Sequence, residues 1–326
     1  MINYQTLENE NQVIHTFLKD VLRGLSQASK HLDSKYFYDT AGDELFRQIM
    51  HCPEYYPTRC ELEIFSGQIH SIIQLVLQQH PQFDLVELGP GDALKSVHLL
   101  RNLLRKNVPF TYYPIDISKN AIDQLNSNLP GQLPGLKIHG LNGEYFEMLQ
   151  QLKTISDKPK LVLFLGSNIG NMFPQEATIF CHQLQQLLMP GDLVLIGFDL
   201  KKNPQTILNA YNDKQGITRK FNLNLLKRIN RELDADFREE QFQHYPIYDP
   251  ETGACRSYLV SLKDQTVQIG PEKKPIEFLE NECILMEISQ KYTVHQSDEL
   301  AHKTGFTPLA HFYDSKKWFL DALWRS

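Results

Sequence analysis

The sequence predicts an α/β protein: a Rossmann-like parallel sheet joined to a second, smaller α+β lobe. From residue 83 onward, short apolar strands alternate with longer amphipathic stretches, the rhythm of a parallel sheet covered by helices. Between residues 201 and 292 that rhythm breaks, and one long helical segment is followed by strands of alternating polarity. The chain has 326 residues, room for two ordinary domains.

Taken in order, the first sixty or so residues read as helical and aromatic-rich. The strands follow as FDLVELG (83–89), FTYYPIDIS (110–118), LKIHGL (136–141), KLVLFLG (160–166) and DLVLIGFDL (192–200), each bounded by Gly, Pro or Asp. Between them lie helical patterns such as ALKSVHLLRNLLRK (93–106), with apolar positions three and four apart. The inserted lobe starts with the helix ITRKFNLNLLKRINRELDADF (217–237) and continues through HYPIY, RSYLVSL and QTVQI. The turn DPETG (249–253) and the pair Lys263 and Asp264 are expected to separate antiparallel strands there. At the end, ELAHKTGF reads as a last helix, and PLAHFYD with WFLDALWR as a hairpin completing the sheet edge. The expected partition is a sheet domain of 65–200 with 294–326, and a second domain of 1–64 with 201–293.

Composition narrows the function classes. With 41% hydrophobic and 22% charged residues the chain lies in the folded globular range, and disorder is excluded as its main state. A net charge of −6 offers no broad field for a polyanion, so neither nucleic acid nor an anionic membrane is an expected partner. The longest apolar runs, LVLFL (161–165) and LVLIGF (193–198), fall far short of a bilayer span. The opening MINYQTLENENQVI has no basic region followed by an apolar stretch, so the cytoplasm is the expected compartment. Five cysteines (Cys52, Cys60, Cys181, Cys255, Cys283) are odd in number, widely spaced and never in a C-x-x-C pair. They read as reduced packing residues, and no metal site is expected. A monomer acting on small molecules fits these constraints.

ELGPGDALKS (87–96) lies where the first strand gives way to a helix, the crevice where open α/β sheets bind ligands. Gly89 and Gly91 permit a tight turn and close approach to the backbone, although a plain strand-to-helix turn uses the same residues. A dinucleotide fingerprint wants a third glycine where Leu94 stands, which disfavours NAD. Acidic Glu87 before the loop and Asp116 at the end of the second strand suit a cofactor without phosphates. Glu87 would face a cationic amino-acid moiety and Asp116 the ribose hydroxyls, which describes S-adenosylmethionine. Lys95 is either a partner for the methionine carboxylate or a solvated helix lysine. Glu144 and Tyr145, in NGEYF (142–146) after the third strand, are placed to meet an adenine ring, and Gly166, ending the fourth strand, joins the cofactor contacts.

These segments also resemble the histidine Nα-methyltransferase family of ergothioneine biosynthesis, whose relatives include the dimethylallyltryptophan N-methyltransferases. The resemblance runs over nearly the whole chain. It is carried by KYFYDTAGDELFRQI (35–49), PEYYPTRCE (53–61), LVELGPGD, FLGSNIGN (164–171), AYNDKQGITRKFNLNLLKRINRELDADF (210–237) and MEISQKY (286–292). It implies a class I methyltransferase sheet with a second, substrate-binding α+β domain. It also implies transfer of three successive methyl groups from S-adenosylmethionine to the α-amine of L-histidine, giving the betaine hercynine. By the same resemblance, Asn171 and Tyr211 hold the substrate carboxylate, Tyr38 (catalytic) and Tyr55 frame the amine, and Glu287 and Ser289 hold the imidazole.

Residue chemistry bears on that assignment. In LMEISQK a period of two puts Glu287 and Ser289 on one face of a strand and Met286 and Ile288 on the other. An imidazole has one donor and one acceptor nitrogen, which a carboxylate and a hydroxyl satisfy together, whereas an indole has only a donor. A half-exposed strand with its polar side to water would show the same spacing. Asn171 could equally be a turn residue after Gly170, and most of the fourteen tyrosines must be packing residues with a hydrogen-bonded tip.

Three positions depart from the family pattern. Ser257 stands where a methionine is common beside the substrate ring, a smaller and more polar wall that would loosen the pocket or admit a substituted imidazole. Glu144 replaces an Asp and Tyr145 a Phe, both keeping the chemical character. The rival readings are N-methylation of another aromatic amino acid or amine, a Rossmann-like NAD oxidoreductase, and a non-catalytic S-adenosylmethionine binder.

Overall fold

The computed structural model describes residues 4–326, with side chains from residue 13. Of the opening MINYQTLENENQVI, where no secretory signal is expected, residues 1–3 lie outside the described residues, as do the side chains of 4–12. The chain forms two compact units, Met1–Tyr55 with Asn203–Ser289, and Tyr56–Lys202 with Gln290–Ser326.

Helices α1 (Tyr4–Leu25) and α2 (Thr40–His51) open the first unit. The second unit runs α3 (Pro57–Gly67), α4 (Ile69–Gln79), β1 (Phe83–Leu88), α5 (Ser96–Arg105), β2 (Phe110–Asp116), α6 (Lys119–Gln132), β3 (Leu141–Asn142), α7 (Tyr145–Ile155), β4 (Lys160–Phe164), α8 (Pro174–Leu187) and β5 (Leu193–Asp199). The chain then returns to the first unit with α9 (Pro204–Ala210), α10 (Ile217–Leu233), β6 (Phe242–Asp249), β7 (Ala254–Ser261), β8 (Gln265–Ile269), β9 (Lys274–Phe278) and β10 (Cys283–Gln290). It ends in the second with α11 (Val294–Lys303), β11 (Thr307–Tyr313) and β12 (Phe319–Arg325).

The sheet of the second unit has the order β11-β12-β5-β4-β1-β2-β3. Strands β1 to β5 are parallel, with Val86 level with Tyr113 on one side and Val162 on the other. β12 runs antiparallel to both β5 and β11. Every residue of β1, β4 and β5 is buried, the continuous apolar run expected of strands covered by helices on both faces. The order reverses between β1 and β4, which opens the ligand crevice beyond their carboxyl ends.

The other unit has its own core, built from α10 (Phe221, Leu225, Leu226, Ile229), α1 (Phe17, Val21, Leu25) and strand residues such as Leu259, Ile284 and Met286. α10 starts because Asp213 accepts from the N–H groups of Ile217 (2.8 Å) and Thr218 (2.7 Å), satisfying two donors that have no partner inside the helix. It stops at Asp234, whose φ of 51° is left-handed.

Four expectations need correction. The boundary placed at 64/65 falls at 55/56 instead, because α3 packs on α4, α5, β11 and β12 of the sheet unit. The third strand is interrupted rather than continuous over LKIHGL: Ile138 bridges Tyr112 and Leu141–Asn142 pair with Ile115 and Asp116, while Gly140 between them lies against α6 and donates its N–H to Asn126 Oδ1 at 3.2 Å. α5 begins at Ser96 rather than 93, since Ala93 has φ 56° and cannot continue a right-handed helix. Lys263 and Asp264 join strands of two different sheets: β7 is the middle strand of β10-β7-β6, so β8 pairs with β9 instead. Of the cysteines, four are buried and Cys283 is exposed, and none is in a disulfide.

Candidate active site

The cofactor candidates all lie in the sheet unit. Glu87, 3% exposed at the end of β1, accepts a 2.5 Å hydrogen bond from the Tyr112 hydroxyl on β2. Burial pushes its carboxyl up to about 7, against the opposing pull of Tyr112, Ser96 and Lys95. A carboxyl poised there becomes fully charged when a cation settles beside it, which suits an ammonium-bearing ligand. Gly89 and Gly91 have φ of 69° and 56°, so the loop itself demands glycine. A Cβ on Gly89 would lie 2.6 Å from the Tyr145 hydroxyl, whereas Gly91 faces open space.

Asp116 closes β2, half-buried, and its carboxylate accepts from the Ser118 N–H at 2.8 Å. Its carbonyl accepts from Gly143 N–H (3.0 Å) and Asn142 Nδ2 (2.9 Å), which ties the ends of β2 and β3 together. Glu144 is exposed at the N-cap of α7, and Tyr145 on its first turn stands edge-on to Phe164 at 6.1 Å.

Lys95 is not a solvated helix lysine, since its side chain is only 20% exposed and pairs with the fully buried Glu61 of α3. The same Glu61 carboxylate accepts from the Gly166 N–H at 2.8 and 2.9 Å. Asp321 on β12 is buried beside them, and burial, then the charge of Glu61, raise its carboxyl well above the usual range. Gly166 (φ 76°) lies against Lys95 Nζ and, like Gly89, against the Asn168 amide. Sequence reasoning missed Glu61 and Asn168. Glu61 stands in the PEYYPTRCE motif, but its partner is 105 residues away and unreadable from it. Asn168 shares GSNIGN with Asn171, and nothing in that motif singles it out. Asn171 ends a short 3-10 helix, Asn168–Asn171, and the left-handed residue of that turn is Ser167 (φ 58°) rather than Asn171.

The other candidates lie in the first unit. Tyr211, buried at the end of α9, donates to Ser289 Oγ at 2.6 Å. On β10 the alternation stands: Ile284 and Met286 enter the core, and the opposite side carries half-buried Glu287 and buried Ser289. The Tyr55 ring is edge-on to Tyr211 (6.3 Å) and to Phe46 (6.4 Å). Tyr38, 37% exposed just after the 3-10 helix Ser34–Phe37, is edge-on to Phe46 (5.7 Å) and Phe221 (5.9 Å). Tyr38, Phe46, Tyr55, Tyr211 and Ser289 thus form one run of rings ending in a hydroxyl pair. Ser257, 1% exposed on β7, points to the same side of its strand as Leu259. Among the described residues no group of His, Cys, Asp and Glu could hold a metal ion.

A sheet of this order, with acidic residues closing β1 and β2 and a positive-φ glycine turn between β1 and α5, defines a class I S-adenosylmethionine-dependent methyltransferase. The chain belongs to the SAM-dependent, histidine-specific methyltransferase family, whose model matches residues 17–326. It is 32% identical to the histidine N-alpha-methyltransferase of Mycolicibacterium smegmatis over 90% of this chain and 88% of that protein. To the protein of that name from Mycobacterium tuberculosis it is 34% identical, over 84% of each. Ergothioneine biosynthesis protein 1 of Neurospora crassa is 28% identical over 91% of this chain and 33% of that longer protein.

Proposed function

We propose that the protein transfers three methyl groups in succession from S-adenosylmethionine to the α-amine of L-histidine, giving hercynine, as the first step of an ergothioneine-type biosynthesis. One observation carries the substrate assignment: a carboxylate and a hydroxyl, Glu287 and Ser289, share a face of β10, and Tyr211 fixes the hydroxyl. The names of the relatives agree with it.

Bound S-adenosylmethionine supplies an electrophilic methyl carbon on a sulfonium. Glu87 takes the cationic amino-acid moiety, Asp116 the ribose hydroxyls, and Glu144 with Tyr145 the adenine. Gly89, Gly91 and Gly166 keep the backbone open to the ligand, and Lys95, held by Glu61, faces its carboxylate end. On the acceptor side Glu287 receives the imidazole N–H and Ser289 donates to the other nitrogen. Tyr211 and Asn171 hold the carboxylate, so the Tyr211 proton turns from Ser289 toward it when histidine binds. Ser257 borders the ring.

The α-ammonium of a free amino acid keeps its proton at neutral pH and cannot attack, so a proton leaves before each displacement. The assigned residues include no dedicated base at the amine. Tyr38 and Tyr55 orient the nitrogen lone pair toward the methyl carbon, the proton passes to water, and proximity supplies most of the acceleration.

A second reading, a ring-substituted imidazole amino acid, is favoured by buried Ser257, which leaves more room than a methionine. We place the enzyme in the cytoplasm as a monomer without nucleic-acid or membrane partners. Its net charge is −6, and among the described residues no helix is long and apolar enough to cross a membrane. Calorimetric titration of histidine and tryptophan in the presence of S-adenosylhomocysteine tests the assignment: histidine binds and tryptophan does not. The reverse order would overturn it.

A further inference from the structure

The chain passes between the two units at three places, 55/56, 202/203 and 289/290. Within the sheet unit, residues at or one step from all three meet on one buried carboxylate. The Tyr56 hydroxyl donates to Asp199 at 2.8 and 3.0 Å, Lys291 Nζ lies 2.7 Å from it, and Lys202 Nζ pairs with it as well. Lys202 also donates to the Tyr56 hydroxyl at 2.9 Å and sits over that ring at 4.1 Å. Asp199 and Lys291 are completely buried, and Lys202 nearly so. The backbone closes the same knot: Asp199 N–H donates to Ser167 Oγ at 3.1 Å, and its carbonyl accepts from Tyr292 N–H at 3.0 Å.

An isolated pair of buried charges rarely repays its desolvation, so a knot of three such groups calls for a role beyond stability. Burial pushes the Asp199 carboxyl up, but Lys291 and then Lys202 outweigh this and hold it below the usual carboxylate range. The Asp199 carboxylate therefore stays ionised, while burial lowers the Lys202 ammonium against the pull of Asp199. Its members flank assigned substrate residues along the chain: Tyr55 precedes Tyr56, Ser289 lies two before Lys291, and Asn171 lies four after Ser167.

We propose that Asp199 is a positioning residue for methyl transfer: its carboxylate gathers the three crossing points on the sheet unit, and so sets where the chain enters the segments that carry Tyr55 and Ser289. It touches no reactant, and this role rests on the assignment of Tyr55, Asn171 and Ser289 to the histidine substrate.

Asp199→Asn would strand two buried lysines, and loss of fold would say little, so two milder variants carry the test. Tyr56→Phe keeps the ring against Trp318 and removes one hydroxyl, and Lys202→Met keeps the stem and removes one cation. For each, histidine kcat and KM are measured beside S-adenosylhomocysteine affinity and melting temperature. Both variants are expected to lower kcat/KM for histidine by about tenfold while homocysteine-cofactor affinity stays within about twofold. The double variant should cost less than the product of the two, because both act through one carboxylate. Unchanged kcat and KM in both variants, or a loss matched by cofactor affinity, would overturn the positioning role. Failure of the substrate assignment reads differently: the wild type itself would leave histidine unmethylated, and the inference would fall with it.

Discussion

The hydroxyls of Tyr211 and Ser289, at the ends of α9 and β10 and 78 residues apart in sequence, are joined by a hydrogen bond of 2.6 Å. Tyr211 has a single phenolic proton, which it gives to Ser289 here and, under the proposed assignment, gives to the histidine carboxylate when the substrate binds. Tyr211→Phe removes that donor. Histidine KM should rise about tenfold, the worth of one buried hydrogen bond, with cofactor affinity unchanged. Steady-state kinetics at saturating cofactor check this; an unaltered KM would contradict it.

Tyr38 belongs to the same run of rings, packed edge-on to Phe46 and Phe221. With its ring held by packing, Tyr38→Phe should leave the fold intact and lower single-turnover methyl transfer about tenfold through lost orientation of the amine. Binding of S-adenosylhomocysteine should not change. Equal turnover in rapid-quench experiments would remove Tyr38 from the mechanism.

Glu87 gives the protein a pH signature. Its carboxyl is raised from 4.5 to about 7, so folding takes up a proton in that interval. The contribution of this group to stability therefore falls as pH rises through the window and is constant above it. A cationic ligand reverses the shift and expels the proton, so cofactor affinity should climb with pH and level off above about 7. Calorimetry at pH about 6 in two buffers of different ionisation enthalpy reads the released proton directly. Glu87→Gln should abolish the release; a release that persists would place the titrating group elsewhere.

Glu61 links Lys95 to the Gly166 amide inside the sheet unit. Glu61→Ala leaves a largely buried ammonium and a backbone donor without that partner, at a cost of about 3–5 kcal/mol. Adding Lys95→Met should recover part of the loss, and thermal denaturation of the single and double variants measures it. Strictly additive losses would show that the pair is not coupled.

The fold was readable where local pattern and global structure agree. The strands β1, β4 and β5 announce themselves as continuous apolar runs because helices cover both faces, and the closing hairpin by its polar turn. Where tertiary contact decides, the pattern misleads. Apolar residues at 136–141 look like one continuous strand, but the pairing is broken at Gly140, whose N–H turns to the Asn126 side chain of α6. The site divides the same way. Glu87, Gly89 and Asp116 occupy positions that strand ends and turns make visible; a period of two shows only that Glu287 and Ser289 share a face, and their assignment to an imidazole rests on the family resemblance. Glu61, Asp199 and Lys291 carry no such mark. Buried charges are defined by partners brought together from distant segments, and only the folded chain shows the pairing.

The most direct measurement incubates the purified protein with S-adenosylmethionine and equal amounts of histidine and tryptophan, and follows the products by mass spectrometry. Trimethylated histidine should accumulate, with its methyl groups on the α-nitrogen and tryptophan untouched. Methylated tryptophan, or histidine methylated on the ring, would contradict the assignment of Glu287 and Ser289 as the imidazole clamp.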